Sequence, residues 1–344
     1  FGHTQTKEVL KGQLEAVKQV KKNLVKYKID ADKVDGGELL FAHSQKSVEL
    51  IKNDATFMKH ELDFETKFFD KEELQKLGIS SPEAFAGVLN PNSFGLNPLK
   101  YVIGLYEAAL SNGINLRYET SVSNIKKHDG YITVTTANGT IKTDKVIIAT
   151  NGYSSENIPS ELRGGYLPVL SSIIVTRPLT KEEIERQGWT SKLTTYDARN
   201  LLHYVRLLPD NRFLFGARGG ISASHKAQLY NQRKSRQEFE RMFPEWSNVN
   251  TEFYWNGLVC LTADLLPFIG PIDYNIFCSL GYHGNGVTTA SISGRQIAQI
   301  AMDESPEHLP SIYRRPLKRF PIPKYRRIGL RLAYLGARTQ DWLS

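Results

Sequence analysis

The stretch Gly281-Tyr282-His283-Gly284-Asn285-Gly286-Val287-Thr288-Thr289-Ala290-Ser291-Ile292-Ser293-Gly294-Arg295-Gln296-Ile297-Ala298 decides the fold class. Three glycines stand just before a run whose small residues Ala290, Gly294 and Ala298 recur every four positions. That spacing predicts a helix, entered through a tight glycine turn, whose backbone can pack close to a sheet. Such a helix start offers unpaired N–H groups and the positive end of a dipole to an anionic group. Alone, the pattern fits a turn into a core helix equally well, so its neighbours have to decide.

Upstream, Val146-Ile147-Ile148-Ala149 is continuously apolar, as expected for a strand buried on both faces of a parallel sheet, and it ends in Thr150-Asn151-Gly152. Before it, Tyr131 to Thr136 predicts a strand and Asn138-Gly139 a hairpin turn. Pro98 to Ser111 predicts a helix with an apolar face at Leu99, Val102, Ile103, Tyr106 and Leu110, stopped by Asn112-Gly113. After it, Ile114, Leu116 and Tyr118 alternate as a strand would. Thr6 to Tyr27 is an amphipathic helix, Gly37 to Ala42 a strand, and helices are expected near 45–60 and 70–77. From 160 to 256 the pattern changes to longer strands at 171–178, 201–209 and 211–218, with a helix around 224–243. The expected fold class is α/β (α+β). It comprises an incomplete Rossmann-type domain (1–36, 96–158 and 257–305), a second domain with a mixed or antiparallel sheet (37–95 and 159–256), and a basic C-terminal tail (306–344).

Composition sets the limits. With 344 residues, 40% hydrophobic and 23% charged, the chain can bury a sizeable core, which excludes a disordered or fibrous protein. The net charge of +8 is misleading, because residues 308–340 hold nine basic residues and no acid, leaving a net −1 on the other 311. A nucleic-acid surface spread over the body is therefore not expected. The tail predicts either a strap docking the stripe Tyr325, Ile328, Leu332 and Leu335 on its own domain, or a contact with an anionic lipid or polyanion. No apolar run reaches the roughly 20 residues of a membrane helix, so no stable membrane insertion is expected. The opening FGHTQTKE lacks an initiator Met and a signal-peptide core, from which a cytoplasmic protein beginning mid-sequence is expected. Cys260 and Cys278 show no CxxC or neighbouring His, so no disulfide framework and no metal site is expected.

The motif at 281–298, TDKVIIATNG (143–152) and WNGLVCLTADLLPFIG (255–270), with SFGLNPLKYVIGL (93–105), ATNGYSS (149–155) and NLLHYVRLLPDNRFLFGARGG (200–220), resemble the FAD-dependent amino-acid and amine oxidase (DAO) family. That family includes D-amino-acid, glycine and sarcosine oxidases. The resemblance implies a flavoprotein in which Val122 offers its backbone to the adenine, and Thr150 and Asn151 border the dinucleotide. Gly281, His283, Gly284, Asn285, Gly286, Val287 and Thr288 would wrap the ribityl chain and pyrimidine edge. The family's opening GxGxxG, which binds the pyrophosphate at a helix N-terminus, is missing. The resemblance therefore places Phe1 after it and implies a missing N-terminal segment as a partner for FAD binding.

Departures from the family narrow the chemistry. Thr288 stands where sarcosine oxidases carry a carboxylate-binding lysine, Gly257 where they carry the flavin-linking cysteine, and Leu214 where they carry the oxygen-activating lysine. The resemblance thus implies non-covalent FAD, a small-molecule amine substrate, and either O₂ or a redox partner as electron acceptor. Candidate catalytic or substrate residues are His203, Arg206, Arg218 and Trp255. Alternation places His203 and Val205 on one face of their strand, and Tyr204 and Arg206 on the other. The expected reaction oxidises a C–N bond to an imine. A sarcosine- or glycine-type oxidase, or a non-catalytic fold that needs a partner segment to bind FAD, are the alternatives.

Overall fold

The computed structural model describes residues 2–343, without the side chains of residues 342 and 343. It is a mixed α/β fold with an eight-stranded sheet and two three-stranded sheets. The chain divides into two compact units, one of Phe1–Ala31, Pro98–Val169 and Leu258–Arg327, the other of Asp32–Asn97, Leu170–Gly257 and Ile328–Ser344. The basic stretch is shared between them, changing unit after Arg327.

In the first unit, strand Val146–Ile148 pairs in parallel with Ile276–Leu280, which pairs antiparallel with Phe268–Asp273. A hairpin sheet of Val122–His128, Tyr131–Thr136 and Gly139–Thr143 turns at Asn138-Gly139 as its sequence requires. Helix Gly286–Ala301 buries Ile292 and Ile297, and Ile297 joins Ile269, Phe277 and Ile312 in one cluster. Helix His3–Lys26 buries Gly12, Ala16, Val20 and Leu24, four apart along one face. A Cβ on Gly12 would come within 2.9 Å of Pro310 Cγ, so only glycine permits that approach.

Apolar packing in this unit departs from expectation, although helix Pro98–Ser111 forms with the bounds expected. The small residues Ala290 and Gly294 lie on the exposed side of their helix, and a Cβ on Gly294 would meet nothing within 4 Å. Branched aliphatics, not the small-residue stripe, pack this helix on its sheet. In helix Pro98–Ser111 only Tyr101 is buried, while Leu99, Val102, Ile103 and Leu110 face water. The alternating residues 114–118 form no strand, because an extended segment needs a ladder partner and none stands beside it among the described residues. Ile147, on the edge strand Val146–Ile148, is exposed as well.

The second unit is built on the large sheet, ordered Thr251–Thr262, Tyr166–Thr176, Phe213–Gly220, His203–Leu207, Thr194–Asp197, Glu38–Ala42, Ala86–Asn90 and Lys67–Phe69. One pair, Glu38–Ala42 with Thr194–Asp197, is parallel, so the sheet is mixed. Its helices start on residues chosen for the purpose. Asp70 and Thr180 each accept the N–H three residues on, and Glu73 and Glu183 return the bond. One sheet face carries the aromatic core, where the Phe213 ring lies 4.7 Å from those of both Phe243 and Trp246, and Trp189 meets Phe213 edge-on. Each such pair adds about 0.5–1.5 kcal/mol beyond area burial.

His203 faces this core. Its Nδ1 lies 2.7 Å from Asp197 Oδ2 and its Nε2 3.1 Å from Glu238 Oε2, while Lys234 pairs with the other oxygen of Glu238 and Arg199 shares Asp197 Oδ2 with the imidazole. Burial alone would lower the imidazole pKa, but the bonds to Asp197 and Glu238 outweigh it and raise it. Burial would likewise raise Glu238, yet the bond from His203 holds it at about 2. His203 is thus a buried cation between two anions and is absent from the face that carries Arg206. The self-docking expected of the stripe Tyr325, Ile328, Leu332 and Leu335 fails, since all four are exposed, which leaves the alternative of an anionic contact.

Because His203 has a raised folded pKa, its charge stabilises fully below the unfolded value of about 6.5 and that stabilisation is lost as pH rises through the folded value. His203→Asn should destabilise by about 3 kcal/mol at pH 6 and by less at pH 9. Urea denaturation at both pH values checks this, and a penalty independent of pH would contradict a charged imidazole.

Candidate functional site

In the first unit the parallel pair Val146–Ile148 and Ile276–Leu280 sends both chains out of the sheet at the same end. Ligands of open α/β sheets bind beyond such carboxyl ends. The two exits are clasped together, since Gly281 N–H donates to Asn151 Oδ1 over 3.0 Å. Asn151 adopts a left-handed φ of 46°, which asparagine tolerates better than most residues. Gly281 has a φ of 82°, and a Cβ there would fall 2.4 Å from Thr262 Cγ2, so conformation and space both demand glycine.

Thr262 fixes the turn from the other side. Its hydroxyl donates to Leu266 O at 2.7 Å and accepts the Leu266 N–H at 3.1 Å. With that single proton spent, the 3.1 Å contact to His283 Nε2 requires the imidazole N–H to donate. His283 is therefore a turn-holding residue whose backbone, at a φ of 53°, is what it presents. Helix Gly286–Ala301 then begins with Asn285 as N-cap, and no side chain caps its first N–H groups. A Cβ on Gly286 would meet nothing within 4 Å. Gly284, Asn285 and Val287 are exposed and Thr288 is partly exposed, so the backbone from 283 to 288 is open to a ligand.

This donor set fits an extended group that offers acceptor oxygens and develops negative charge on reduction, such as the ribityl chain and pyrimidine edge of a flavin. Thr150 stands at the same strand end, its Oγ1 2.7 Å from Ser154 Oγ. Val122, exposed at the head of its strand, lies elsewhere in the unit beside a bulge between Val122 and Asn124. Cys260 and Cys278 are buried thiols, burial raising Cys260 to about 12 and Cys278 further, so neither presents a thiolate. No cluster of metal-ligating side chains occurs among the described residues.

In the second unit the sheet face opposite the aromatic core carries a group of polar residues beside an apolar cluster of Leu40, Ala42, Ile51, Ala86 and Val88. Register puts Tyr196, Tyr204 and Gly216 side by side, and the Tyr204 ring covers Gly216, where a Cβ would clash at 2.1 Å. Tyr204 OH meets Ser171 Oγ at 2.8 Å. Arg206, on the same face, is buried. Its Nη1 donates to Leu96 O at 3.0 Å, whereas its Nε and Nη2 are buried with no hydrogen-bond partner. Arg218 lies two residues beyond Gly216, among Tyr196, Tyr204 and Tyr334. Trp255 is exposed on strand Thr251–Thr262 and joins neither group.

Sequence reasoning missed Glu38, which shares this face through its register with Thr194, two residues from Tyr196. Burial raises its carboxyl pKa, and no cation pairs with it among the described residues. An acid inside the apolar run Gly37 to Ala42 was the available signal.

A family profile described as FAD dependent oxidoreductase (DAO) matches residues 3–300. The chain belongs to the FAD-dependent oxidoreductase family. FAD is the cofactor of the family, and the residues at 150–151 and 281–288 fit it. Among relatives, the chain is 29% identical over 295 residues to the probable oxidoreductase OrdL of Haemophilus influenzae, covering 85% of this chain and 66% of that protein. It is 27% identical over 319 residues to γ-glutamylputrescine oxidoreductase of Escherichia coli, covering 92% and 72%. The chain thus spans about two thirds of the length of these relatives. Glycine oxidase from Geobacillus kaustophilus shares the fold with a TM-score of 0.77 at 17% identity, over 91% of this chain and 83% of that one. L-proline dehydrogenase from P. horikoshii does so at 0.74 and 19%, over 93% and 83%.

Two measurements test the site. Asn151→Gly loses the clasp to Gly281, at a cost of about 1 kcal/mol, while Asn151→Ala should lose about 1 kcal/mol more because alanine resists a left-handed φ. Equal losses in urea denaturation would show that the clasp rather than the backbone sets the requirement. Since the raised pKa of Glu38 penalises its charged form, stability falls as pH rises through that window. Glu38→Gln should raise the melting midpoint by a few degrees at pH 7 and leave it unchanged below the ordinary glutamate pKa of about 4.3. An unchanged midpoint at pH 7 would mean that the carboxylate is solvated.

Proposed function

We propose that the chain is the body of an FAD-dependent oxidoreductase that oxidises a C–N bond of a small amine or amino-acid-derived substrate to an imine, which water then hydrolyses. The observation that carries this reading is the clasp between Asn151 and Gly281. It joins two parallel strand ends beside an uncapped helix start, in a chain of the FAD-dependent oxidoreductase family. FAD, when bound, supplies the acceptor for a hydride from the substrate carbon. The amine must then be neutral, because its lone pair forms the C=N bond as the hydride leaves. The N–H groups at the start of helix Gly286–Ala301 favour negative charge. Non-covalent attachment is supported by the buried, protonated Cys260 and by Gly257.

On the substrate side, the second unit offers Arg206 and Arg218, with Trp255 as a third candidate. The two unpartnered nitrogens of Arg206 are suited to an acidic or carbonyl group on the substrate. The carboxylate of Glu38, already inclined to take a proton, is suited to accept one from the substrate ammonium. His203 is left out because Asp197 and Glu238 occupy both of its nitrogens. The electron acceptor is dioxygen or a redox partner.

The first unit also supports a further requirement. Strand Val146–Ile148 has Ile276–Leu280 as its one ladder partner among the described residues, residues 114–118 lie unpaired, and apolar side chains of Pro98–Ser111 face water. A segment carrying a parallel strand and a helix would pair that edge and cover those side chains, and with it a pyrophosphate-binding turn. The 344-residue chain alone should bind FAD weakly or not at all. A version extended at its N-terminus by such a segment should bind tightly and bleach anaerobically with an amine. Tight one-to-one binding by the chain alone would refute the requirement for a segment. An extended protein whose flavin is reduced by no amine or amino acid in a broad panel would refute the proposed reaction.

A further inference from the structure

Helix Arg326–Leu343 has two apolar faces, and the second unit occupies one of them. Leu330 is buried and Tyr334 is half-buried near Arg218. Near the helix end, Asp341 accepts the N–H of Asn200 at 2.9 Å, its side-chain amide at 2.8 Å and the N–H of Leu201 at 3.2 Å. The helix is thereby held at both ends of its inner face.

Its outer face carries Ile328, Leu332 and Leu335, spaced by four and three and exposed by 52%, 65% and 59%. Ile322 and Tyr325 lead into it, also exposed. Three large aliphatics on one face of a clasped helix form the kind of patch that marks an interaction surface. The surrounding charge says which kind. Arg327 and Arg331, on the same helix beside the stripe, are exposed, and no acid occurs from 308 to 340. A second copy of the chain is disfavoured as occupant, since a two-fold contact would bring two basic rims together with no acid from 308 to 340 to pair them. A partner must be apolar under the stripe and anionic at its rim.

We propose that this helix seats the protein on an anionic lipid surface, lying in the plane of the bilayer interface. Ile328, Leu332 and Leu335 enter the boundary of the acyl chains, and Arg327, Arg331 and Lys324 remain among the anionic headgroups. The contact is peripheral, as no helix among the described residues is long and apolar enough to cross a membrane. The clasp at Asp341 means that the stripe is presented without refolding. This inference stands independently of the proposed reaction, because none of its residues belongs to the candidate site.

The test is co-sedimentation of the full chain with phosphatidylcholine vesicles, with and without phosphatidylglycerol, at physiological salt. Binding is expected to the anionic vesicles alone. The triple variant Ile328→Ser/Leu332→Ser/Leu335→Ser, and separately Arg327→Gln/Arg331→Gln, should each weaken it by roughly tenfold or more. All five side chains are exposed, so circular dichroism and the melting midpoint should stay at wild-type values and exclude misfolding as the cause. Absence of binding to anionic vesicles, or equal binding by the triple variant, overturns the proposal. So does a wild-type dimer in analytical ultracentrifugation that the triple variant converts to monomer without a change in vesicle binding.

Discussion

The parallel pairing of Val146–Ile148 with Ile276–Leu280 is the constraint on which the first unit depends. Two strands distant in sequence leave the sheet at one end, where neither backbone can continue its ladder and each exit needs a substitute bond. The Asn151 side chain supplies it to Gly281. Everything at the site follows from that point: the left-handed turn residues, the threonine that locks His283, and a helix whose first N–H groups have no protein acceptor. The features that keep those groups available are the same ones that a helix optimised for stability alone would lose to a capping side chain.

The second unit uses its sheet differently on its two faces. One face is closed by stacked and edge-on aromatics and by the series Lys234, Glu238, His203, Asp197 and Arg199, in which each charge has an opposite neighbour. The other face carries Tyr196, Tyr204, Arg206, Arg218 and Glu38, where two nitrogens of Arg206 and the Glu38 carboxyl have no partner among the described residues. Satisfying one face fully fixes the strands, and rigid strands in turn let the opposite face hold groups with unmet bonding capacity. His203 and Arg206, three residues apart on one strand, therefore have unrelated work.

Two groups of exposed apolar side chains stand out from the scattered rest, those of Pro98–Ser111 in the first unit and the outer stripe of the last helix. They differ in chemistry. The first stands in the unit that also holds the unpaired edge of strand Val146–Ile148, which calls for another strand. The second has no free backbone and a basic rim, which calls for a surface that is apolar within and anionic outside.

The sequence by itself determined the strongly periodic and strongly punctuated elements. Pro98 and Asn112-Gly113 bounded a helix, Asn138-Gly139 a hairpin, and the unbroken run 146–149 a parallel strand, because these depend on local conformation and local polarity. The candidate cofactor residues at 150–151 and 281–288 were legible through the family resemblance that these segments carry. What only tertiary structure decided was what each apolar face meets. Periodicity shows that Val102 and Ile103, or Leu332 and Leu335, share a side of a helix, but not whether anything covers that side. The strand expected at 114–118 failed for want of a partner, and Glu38 became a candidate through a register with Thr194 that no local pattern encodes. His203 changed from a candidate reactive group to a structural cation because two carboxylates, at Asp197 and Glu238, converge on it from different elements. Local sequence sets conformation and face, whereas burial and pairing are properties of residues far apart in the chain.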